Sequence, residues 1–450
     1  MVLTIGLWSY KEEIREVPDR WHGPLLNPEP ASSLKSPSDI FRANDGYKVQ
    51  DHPIDDLAKA AERKAEELLS KETRNTSAAA AAYRARRGRH PPPGFDAWVE
   101  YALSQDCIVV EDFFDQIYRD IEPFLGLKAS EIRDAAANLP DVIRIRDGRV
   151  QPTTSEWHFV TAYHDMFSEI AMYLPDVDLP INTMDESRVL VPWENINELM
   201  LHSAESKNLH KVPTKLSFGP YGNEKLSHYD HSWLHEGPYW DIARNGCHPE
   251  TPGRSAVLDA NFSTPPQFLR GWPSFSQQGY VANWTVAKDP CIHAQLCNLH
   301  GSFVEPISQS TTTRLIPIFS GSKMPFNNDI LLPPAVYWLE DDRFSTKHAR
   351  YSWSDKRDEV LWRGSASGGR NTEHNWTRFQ RHRLLSMLNG TQIEMAIDAH
   401  NASLTDSGKP PGQDVPQNFP LPNQDVYLLH SVAQGLLPDW IRSFSNAAFT

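Results

Sequence analysis

The sequence predicts an α/β protein with two layered domains, the second of which looks incomplete. Short apolar runs suited to strands, at 143–145, 189–191 and 315–319, alternate with apolar helical segments. A further strand is expected at 360–362, where a second α/β unit begins. At 450 residues the chain can bury two ordinary cores. The residues after this last strand are fewer than the roughly 150 of an ordinary nucleotide-binding domain, so we expect the second unit to be truncated.

Composition and periodicity divide the chain into four segments. Residues 1–54 are Pro-rich and polar without a clear period, which predicts irregular structure. Residues 55–97 combine a stem-like amphipathic helix, expected over 55–71, with a basic and Pro-rich linker. Residues 98–355 form the first α/β domain, and residues 356–450 are the start of the second.

The overall composition indicates a folded globular protein and argues against one that binds nucleic acid. Hydrophobic residues make up 40% of the chain, which contains 14 Trp. The formal net charge is −14, so a broad basic surface is not expected. The first 30 residues contain no apolar run long enough for a signal peptide or a membrane anchor.

Cysteines and glycosylation sequons bear on the cellular compartment. Cys291 and Cys297 lie near His293 and His300, but their spacing is not that of a common zinc motif. No metal site is therefore predicted, and disulfide pairing is favoured if the chain is secretory. Asn-x-Ser/Thr sequons begin at Asn75, Asn261, Asn283, Asn375, Asn389 and Asn401. Six sequons are compatible with passage through the secretory pathway.

The most informative segment comes directly after the predicted strand at 360–362. That strand, expected to be buried, stops at Arg363 and opens into a loop that contains Gly364, Ser365 and Arg370. A basic, helix-compatible segment comes next. Strand, small-residue loop and helix is an arrangement that binds phosphate through backbone N–H groups and guanidinium groups. The spacing fits neither the Walker loop nor the dinucleotide fingerprint, so an ordinary turn is the alternative.

Several motifs in order resemble the capsule-associated, family 90 glycosyltransferases, which include fungal xylosyltransferase-like proteins and Rumi-type protein O-glucosyltransferases. The matching motifs are Tyr-Arg-Ala-Arg-Arg-Gly-Arg at 83–89 with the Pro-rich segment after it, Glu-Asp-Phe-Phe-Asp at 111–115, Leu-Pro-Asp-Val-Asp-Leu-Pro-Ile-Asn-Thr-Met-Asp at 174–185, Asn-Asn-Asp-Ile-Leu-Leu-Pro-Pro at 327–334, and Leu-Trp-Arg-Gly-Ser at 361–365. The similarity runs from about residue 83 to at least residue 383. The family's later Asp-Gly-Asn-Ser-type segment is not found, which is a second reason to expect an incomplete donor domain.

The resemblance implies a GT-B-like fold and inverting, metal-independent transfer of glucose or xylose from a UDP-sugar to a hydroxyl of a glycan or protein. It carries the role of catalytic base to Asp185, just beyond the carboxyl end of a strand-like run at 177–181. It places the donor on Arg363, Gly364, Ser365 and Arg370. It also places Asp329, Tyr337 and Trp338 near the sugar or the acceptor. No cofactor is implied besides the UDP-sugar substrate.

Two other functions remain open. Asp176 and Asp178 form an Asp-x-Asp pair, the pattern by which metal-dependent transferases of the other major fold bind a cation and a nucleotide diphosphate. A catalytically inactive, glycan-binding relative without a complete donor domain is the second alternative. The resemblance also implies residence in the lumen of the Golgi or endoplasmic reticulum behind a membrane anchor that is not visible in this chain.

Overall fold

The computed structural model describes residues 52–337, 351–405 and 437–450, apart from 154, 156, 208–227, 237, 260, 263–272 and 274. These residues form a mixture of α-helices and small β-sheets, which confirms an α/β composition. The helices are α1 (Pro53–Leu69), α2 (Thr76–Arg87), α3 (Phe95–Ser104), α4 (Asp115–Ile121), α5 (Ala129–Ala137), α6 (His158–Ser168), α7 (Trp193–Glu205), α8 (Tyr239–Ala243), α9 (Pro252–Ser255), α10 (Trp284–Ala287), α11 (Gly301–Val304), α12 (Gln380–Leu388), α13 (Gly390–Thr405) and α14 (Leu437–Phe444). The strands are β1 (Val142–Arg146), β2 (Arg149–Val150), β3 (Val177–Pro180), β4 (Ser276–Gln277), β5 (Tyr280–Val281), β6 (Phe319–Ser320), β7 (Ile330–Leu331), β8 (Val360–Gly364) and β9 (Ser445–Phe449).

The largest sheet among the described residues is antiparallel and has the order β2-β1-β3. Its register pairs Ile143 with Leu179. Just beyond β3, Ile181 forms a single parallel bridge to Phe319 of β6, and β6 in turn runs parallel to β7. The pairing of neighbouring strands therefore changes from antiparallel to parallel where β3 ends. The sequence predicts Asp185 to lie just beyond this point.

Two of the predicted strands are wrong in extent. Residues 189–191 form a single bridge, because the N–H groups of Val189 and Val191 bind the side chains of Asp329 and Asn328, both at 2.9 Å, in place of a neighbouring strand. In the run at 315–319 only the last residue enters β6. Proline at position 317 lacks the N–H group that a ladder needs.

Both faces of the antiparallel sheet are buried. Ile143 and Ile145 lie on one face in a cluster with Val160 and Phe167 of α6. Val142 belongs to another cluster, which includes Ile316 of the extended run before β6. The period-two alternation of β1 thus serves two cores, as expected of a strand covered on both sides.

The N-terminal helices are joined to the body by a network of charges. Asn75 caps α2, and Gly88 ends that helix in the left-handed conformation with φ 64°. Arg87, which is 4% exposed, binds Glu111 at 2.6 Å and Asp115 at 2.5 Å. We call Arg86, Arg87, Glu111, Asp112 and Asp115 the neutralised arginine cluster. It favours a structural role for the basic turn at the end of α2.

The C-terminal unit consists of the parallel pair β8–β9 with α12, α13 and α14. Its strand at 360–362 is present as predicted but not buried, since Val360 is 46% exposed and Leu361 69% exposed. In the described residues a two-stranded sheet has no third layer to cover both faces, so the apolar run lies at the surface. The sequence also predicts an apolar stretch at about 426–437 in this unit, and all of it before residue 437 lies outside the described residues.

A disulfide joins Cys247 to Cys291, and neither Cys107 nor Cys297 forms one within the described residues. The bond is compatible with a secreted or lumenal protein. His293 and His300 instead contact the backbone, through Val286 and Ser302 respectively. No helix in the described part of the chain is both long enough and apolar enough to cross a bilayer.

Candidate functional site

The turn that carries Asp185 is held from within and from a neighbouring loop. Asn182 accepts a hydrogen bond from the N–H of Met184 at 3.0 Å and donates to the carbonyl of Glu186 at 2.8 Å. The hydroxyl of Ser322 donates to the Asp185 carbonyl at 3.3 Å. The backbone of Asp185 is therefore fixed, while its side chain is exposed and has no partner among the residues the structure describes. An exposed carboxylate on a fixed backbone is accessible to a substrate, as a general base must be.

Asp329 lies behind this turn and cannot contact a sugar, because it is fully buried. One carboxylate oxygen accepts from the N–H of Arg188 at 2.9 Å and from Ser320 at 2.6 Å, and the other accepts from the N–H of Val189 at 2.9 Å. Burial raises the pKa of Asp329, and these hydrogen bonds oppose the rise. The structure thus places Asp329, predicted near the sugar or acceptor, in the interior and out of contact with solvent. It is a buried acceptor that ties the segment after Asp185 to β6.

Residues 305–310, which we call the bridging segment, connect the turn that carries Asp185 to the loop at 364–370, which we call the Gly/Ser loop. On one side Ser308 donates to the carboxylate of Glu186 at 3.0 Å. On the other side Arg370 donates to the carbonyl of Ile307 at 2.8 Å, and its N–H donates to the carbonyl of Glu305 at 2.8 Å. The predicted base segment and the predicted donor loop therefore contact the same short stretch of chain.

Glu186 is a candidate residue that sequence reasoning did not select. It lies next to Asp185 in sequence and is half-buried, and it binds the bridging segment directly. The sequence signal was the Asp-Glu pair itself. That pair could not tell which carboxylate faces solvent and which holds the turn in place.

The Gly/Ser loop is a compact turn rather than an open cradle at a helix start. Arg381 donates to the Ser365 carbonyl at 2.9 Å and to the Ser367 hydroxyl at 2.7 Å, and the Ser365 and Ser367 hydroxyls are 3.0 Å apart. Helix α12 begins only at Gln380, after an intervening turn. The basic, helix-compatible segment predicted to follow the loop is present as a 3₁₀ turn at Trp376–Arg378 and then α12, and Arg381 of that segment is the basic side chain that binds the loop.

Close packing fixes the loop against the first domain. Gly369 has φ 148°, and a Cβ atom there would lie 2.8 Å from the backbone of Gly301 and closer still to the ring of Phe379. Only glycine fits such a backbone conformation and such an approach. The loop thus packs directly on α11, immediately before the bridging segment.

The remaining predicted donor and sugar residues are dispersed. Arg363 projects from β8 and donates to Asn446 of β9, through the carbonyl and the side-chain oxygen, both at 2.6 Å. Gly364 ends β8, where an added Cβ would be 3.0 Å from the ring of Trp362. Tyr337 is 57% exposed, in a turn that packs on α6. Trp338 lies outside the described residues.

A concentration of positive charge surrounds the segment after the loop. Arg378 is 2% exposed and donates to the Asn261 carbonyl at 3.0 Å. Arg383 donates to the Arg378 carbonyl at 2.6 Å, and burial together with the charge of Arg378 lowers the pKa of Arg383 to about 10. Burial and the charge of Arg383 also lower the pKa of His300. We call Arg378 and Arg383, together with the adjacent neutral imidazole of His300, the electropositive cluster.

The Asp-x-Asp pair has a structural explanation. Asp178 is buried in β3 and binds Arg146 at 2.6 Å, and Asp176 accepts from the N–H of Asp147 at 2.8 Å. In the described ranges no group of three or more His, Cys, Asp or Glu residues is arranged to hold a metal ion. A carboxylate neutralised by arginine is a poor cation ligand, so this arrangement does not favour the metal-dependent alternative.

Comparisons with known proteins return no match to a family model, a curated protein or a solved structure.

Proposed function

We propose that this protein is an inverting glycosyltransferase of GT-B-like design that transfers glucose or xylose from a UDP-sugar to a hydroxyl of a glycan or protein without a metal ion. The observation that carries the proposal is the bridging segment. It contacts both the turn that exposes Asp185 and the loop that ends at Arg370. Carboxylate and cationic loop are the two parts that sugar transfer requires, and they are separated by 185 positions in the sequence.

The proposed reaction is a single displacement. The oxygen of the acceptor hydroxyl attacks the anomeric carbon, the bond from that carbon to the UDP oxygen breaks, and Asp185 takes the hydroxyl proton. Arginines on the donor side of the anomeric carbon, opposite Asp185, stabilise the negative charge that develops on the leaving diphosphate. Glu186, bound to Ser308, positions the turn rather than receiving the proton.

One observation favours a second candidate, a glycan-binding protein without transfer activity. The polar groups of the Gly/Ser loop are largely engaged within the protein: Ser365 and Ser367 with Arg381, and Arg370 with the bridging segment. A donor would have to displace these contacts or bind beside them. Under this alternative the acceptor side persists and the donor side serves only to complete the fold.

The proposed compartment is the lumen of the secretory pathway. The Cys247–Cys291 disulfide supports it, because disulfides persist in oxidising compartments. The six sequons give independent support.

Calorimetric titration of the 450-residue chain with UDP, UDP-glucose and UDP-xylose separates the two functions. We expect binding that Arg370→Ala weakens by about 1.5–3 kcal/mol, the worth of a charge-assisted contact. Arg357→Ala is the matched control, since that side chain is 90% exposed and lies before β8, outside the loop. Transfer that survives EDTA supports the metal-independent reaction. Binding of glycans with no binding of UDP or of either UDP-sugar would overturn the transferase in favour of the glycan-binding protein.

A further inference from the structure

The structure separates the glycosylation sequons into two groups by what each asparagine nitrogen contacts. Four of them have both the asparagine and the hydroxyl residue within the described ranges and their side chains described: those at Asn75, Asn283, Asn375 and Asn389. The sequence alone treats the four as equivalent, because each has the same Asn-x-Ser/Thr pattern. Their hydrogen bonds distinguish them.

Asn75 and Asn283 use only their amide oxygens. Each caps a helix: the Oδ1 atom of Asn75 accepts from the N–H of Ala78 at 2.9 Å, and that of Asn283 accepts from the N–H of Val286 at 3.2 Å. We find no acceptor for either Nδ2 atom in the part of the chain that the structure describes. Asn75 is exposed and Asn283 is half-exposed. A substituent on Nδ2 would leave both caps intact.

Asn375 and Asn389 use their amide nitrogens inside the protein. The Nδ2 atom of Asn375, in a residue 3% exposed, donates to the Glu305 carboxylate at 2.8 Å and to the Arg370 carbonyl at 3.2 Å. The hydroxyl of its sequon, on Thr377, is buried as well. The Nδ2 atom of Asn389 donates to the Ala447 carbonyl of β9 at 2.7 Å. A glycan at either position would break buried hydrogen bonds and force an oligosaccharide into packed structure.

We propose that Asn75 and Asn283 are N-glycosylation sites of this protein and that Asn375 and Asn389 are not. The inference rests on the secretory compartment that belongs to the proposed function. In the modification, Nδ2 forms a bond to the anomeric carbon of an oligosaccharide carried on a lipid pyrophosphate. The bond from that carbon to the pyrophosphate oxygen breaks, the lipid pyrophosphate leaves, and one amide proton is released. The charge of each asparagine is unchanged, so no ion pair is disturbed.

The test is to express the full chain behind a secretion signal in a eukaryotic cell and to map glycans on the folded protein. Enzymatic deglycosylation in heavy-oxygen water converts each occupied asparagine into a labelled aspartate that peptide mass spectrometry detects. We expect labelled Asp at positions 75 and 283 and unlabelled Asn at 375 and 389. Glycan on Asn375 or Asn389 in folded protein, or unoccupied amides at both Asn75 and Asn283, would overturn the assignment.

Substitution of the hydroxyl residue tests each site without removing a helix cap. Ser77→Ala and Thr285→Ala keep the asparagine caps, and each should remove the mass of one glycan from the intact protein. Thr391→Ala, in the Asn389 sequon, is the matched control and should leave the mass of the attached glycan unchanged. Protein purified from its source cells tests the compartment separately. If it lacks glycans that the secreted form carries, the site assignment stands and the proposed secretory location is wrong.

Discussion

Arginine side chains are buried in two regions of this protein, and their surroundings differ in charge. In the neutralised arginine cluster, Arg86 and Arg87 are matched by carboxylates of Glu111, Asp112 and Asp115 at 2.5–3.2 Å. In the electropositive cluster, the carboxylate found near Arg378 is that of Asp259, at 3.3 Å and 45% exposed. No carboxylate of the described residues lies within 4 Å of Arg383.

The difference in charge has a physical consequence. Removing a cation from water without a matching anion is unfavourable, and the pKa of the half-buried Arg383 is lowered by its burial and by the charge of Arg378. Under the proposed function this imbalance suits the second region to an anionic ligand, whereas the carboxylates of the first region already match its arginines. Substitutions in each region can distinguish one that stabilises the fold from one that binds a diphosphate.

Asp185→Asn gives the largest expected effect, because it removes the proposed base. Activity should fall by about 10²–10⁴-fold, the usual contribution of a general base. The free energy of unfolding should change by less than about 1 kcal/mol, since the carboxylate is exposed and without a partner among the described residues. Initial rates and denaturant titrations of both proteins measure the two quantities. A folded variant that keeps most of its activity would remove Asp185 from the mechanism.

Arg87→Ala should destabilise the protein by about 3–5 kcal/mol, because it leaves the buried carboxylate of Glu111 without its arginine and removes one of the two arginines that bind Asp115. Binding of UDP should be unaffected in the folded fraction. Arg74→Ala is the control: its ion pair with Glu72 is at the surface, with the arginine 82% exposed, and its loss should cost less than about 1 kcal/mol. Equal effects of the two substitutions, measured by urea denaturation, would contradict the structural role of the neutralised arginine cluster.

Arg383→Ala should have the opposite effects to Arg87→Ala, on UDP binding and on stability. Affinity for UDP should weaken by about 1.5–3 kcal/mol through the loss of a charge-assisted contact, while stability is unchanged or rises because a buried charge is removed. Calorimetry and thermal melting measure both on one preparation. A loss of stability comparable to that of Arg87→Ala, with UDP affinity intact, would make the two regions alike and remove the distinction between them.

The smallest expected effect is on the pH dependence of stability. Burial lowers the pKa of His300 and His382 below the ordinary value of about 6.5. Groups of this kind stabilise the folded state above that value, and the stabilisation is lost as pH falls through their folded pKa. The melting temperature should therefore decrease from pH about 7.5 to about 5. Arg383→Ala should reduce the decrease, since it removes a charge that disfavours protonation of His300. A decrease of the same size in both proteins would exclude this coupling.

Sequence patterns predicted local structure well where the residues of a single helix or strand determine it. The amphipathic period expected over 55–71 corresponds to α1, the alternation at 143–145 lies within β1, and the basic segment contains α12. The patterns failed where distant side chains take over the hydrogen bonds of a strand. Val189 binds Asp329, which is 140 positions away, and no local pattern reports such a contact.

The candidate site was predicted only in part, because sequence patterns report local structure and not contacts between distant residues. Asp185 lies beyond the end of β3 as expected, and Arg370 lies at the end of its loop. The bridging segment was missed because it has no motif of its own. Its contact with the Asp185 turn, from Ser308 to Glu186, spans 122 positions of the sequence. The burial of Asp329 was not foreseen, because a buried acceptor and an exposed ligand-binding carboxylate look identical in sequence.

The contact between Gly301 and Gly369 makes the junction of the two units depend on the absence of side chains at these two positions. A single methyl group at either position would collide with the opposite backbone or with Phe379 and lift the Gly/Ser loop away from the bridging segment. Homologues that preserve the activity should therefore tolerate exchanges among the serines and arginines of the loop more readily than alanine at these two glycines. A catalogue of side chains that touch the substrate would omit both positions, although this close approach is where the Gly/Ser loop packs on α11 beside the bridging segment.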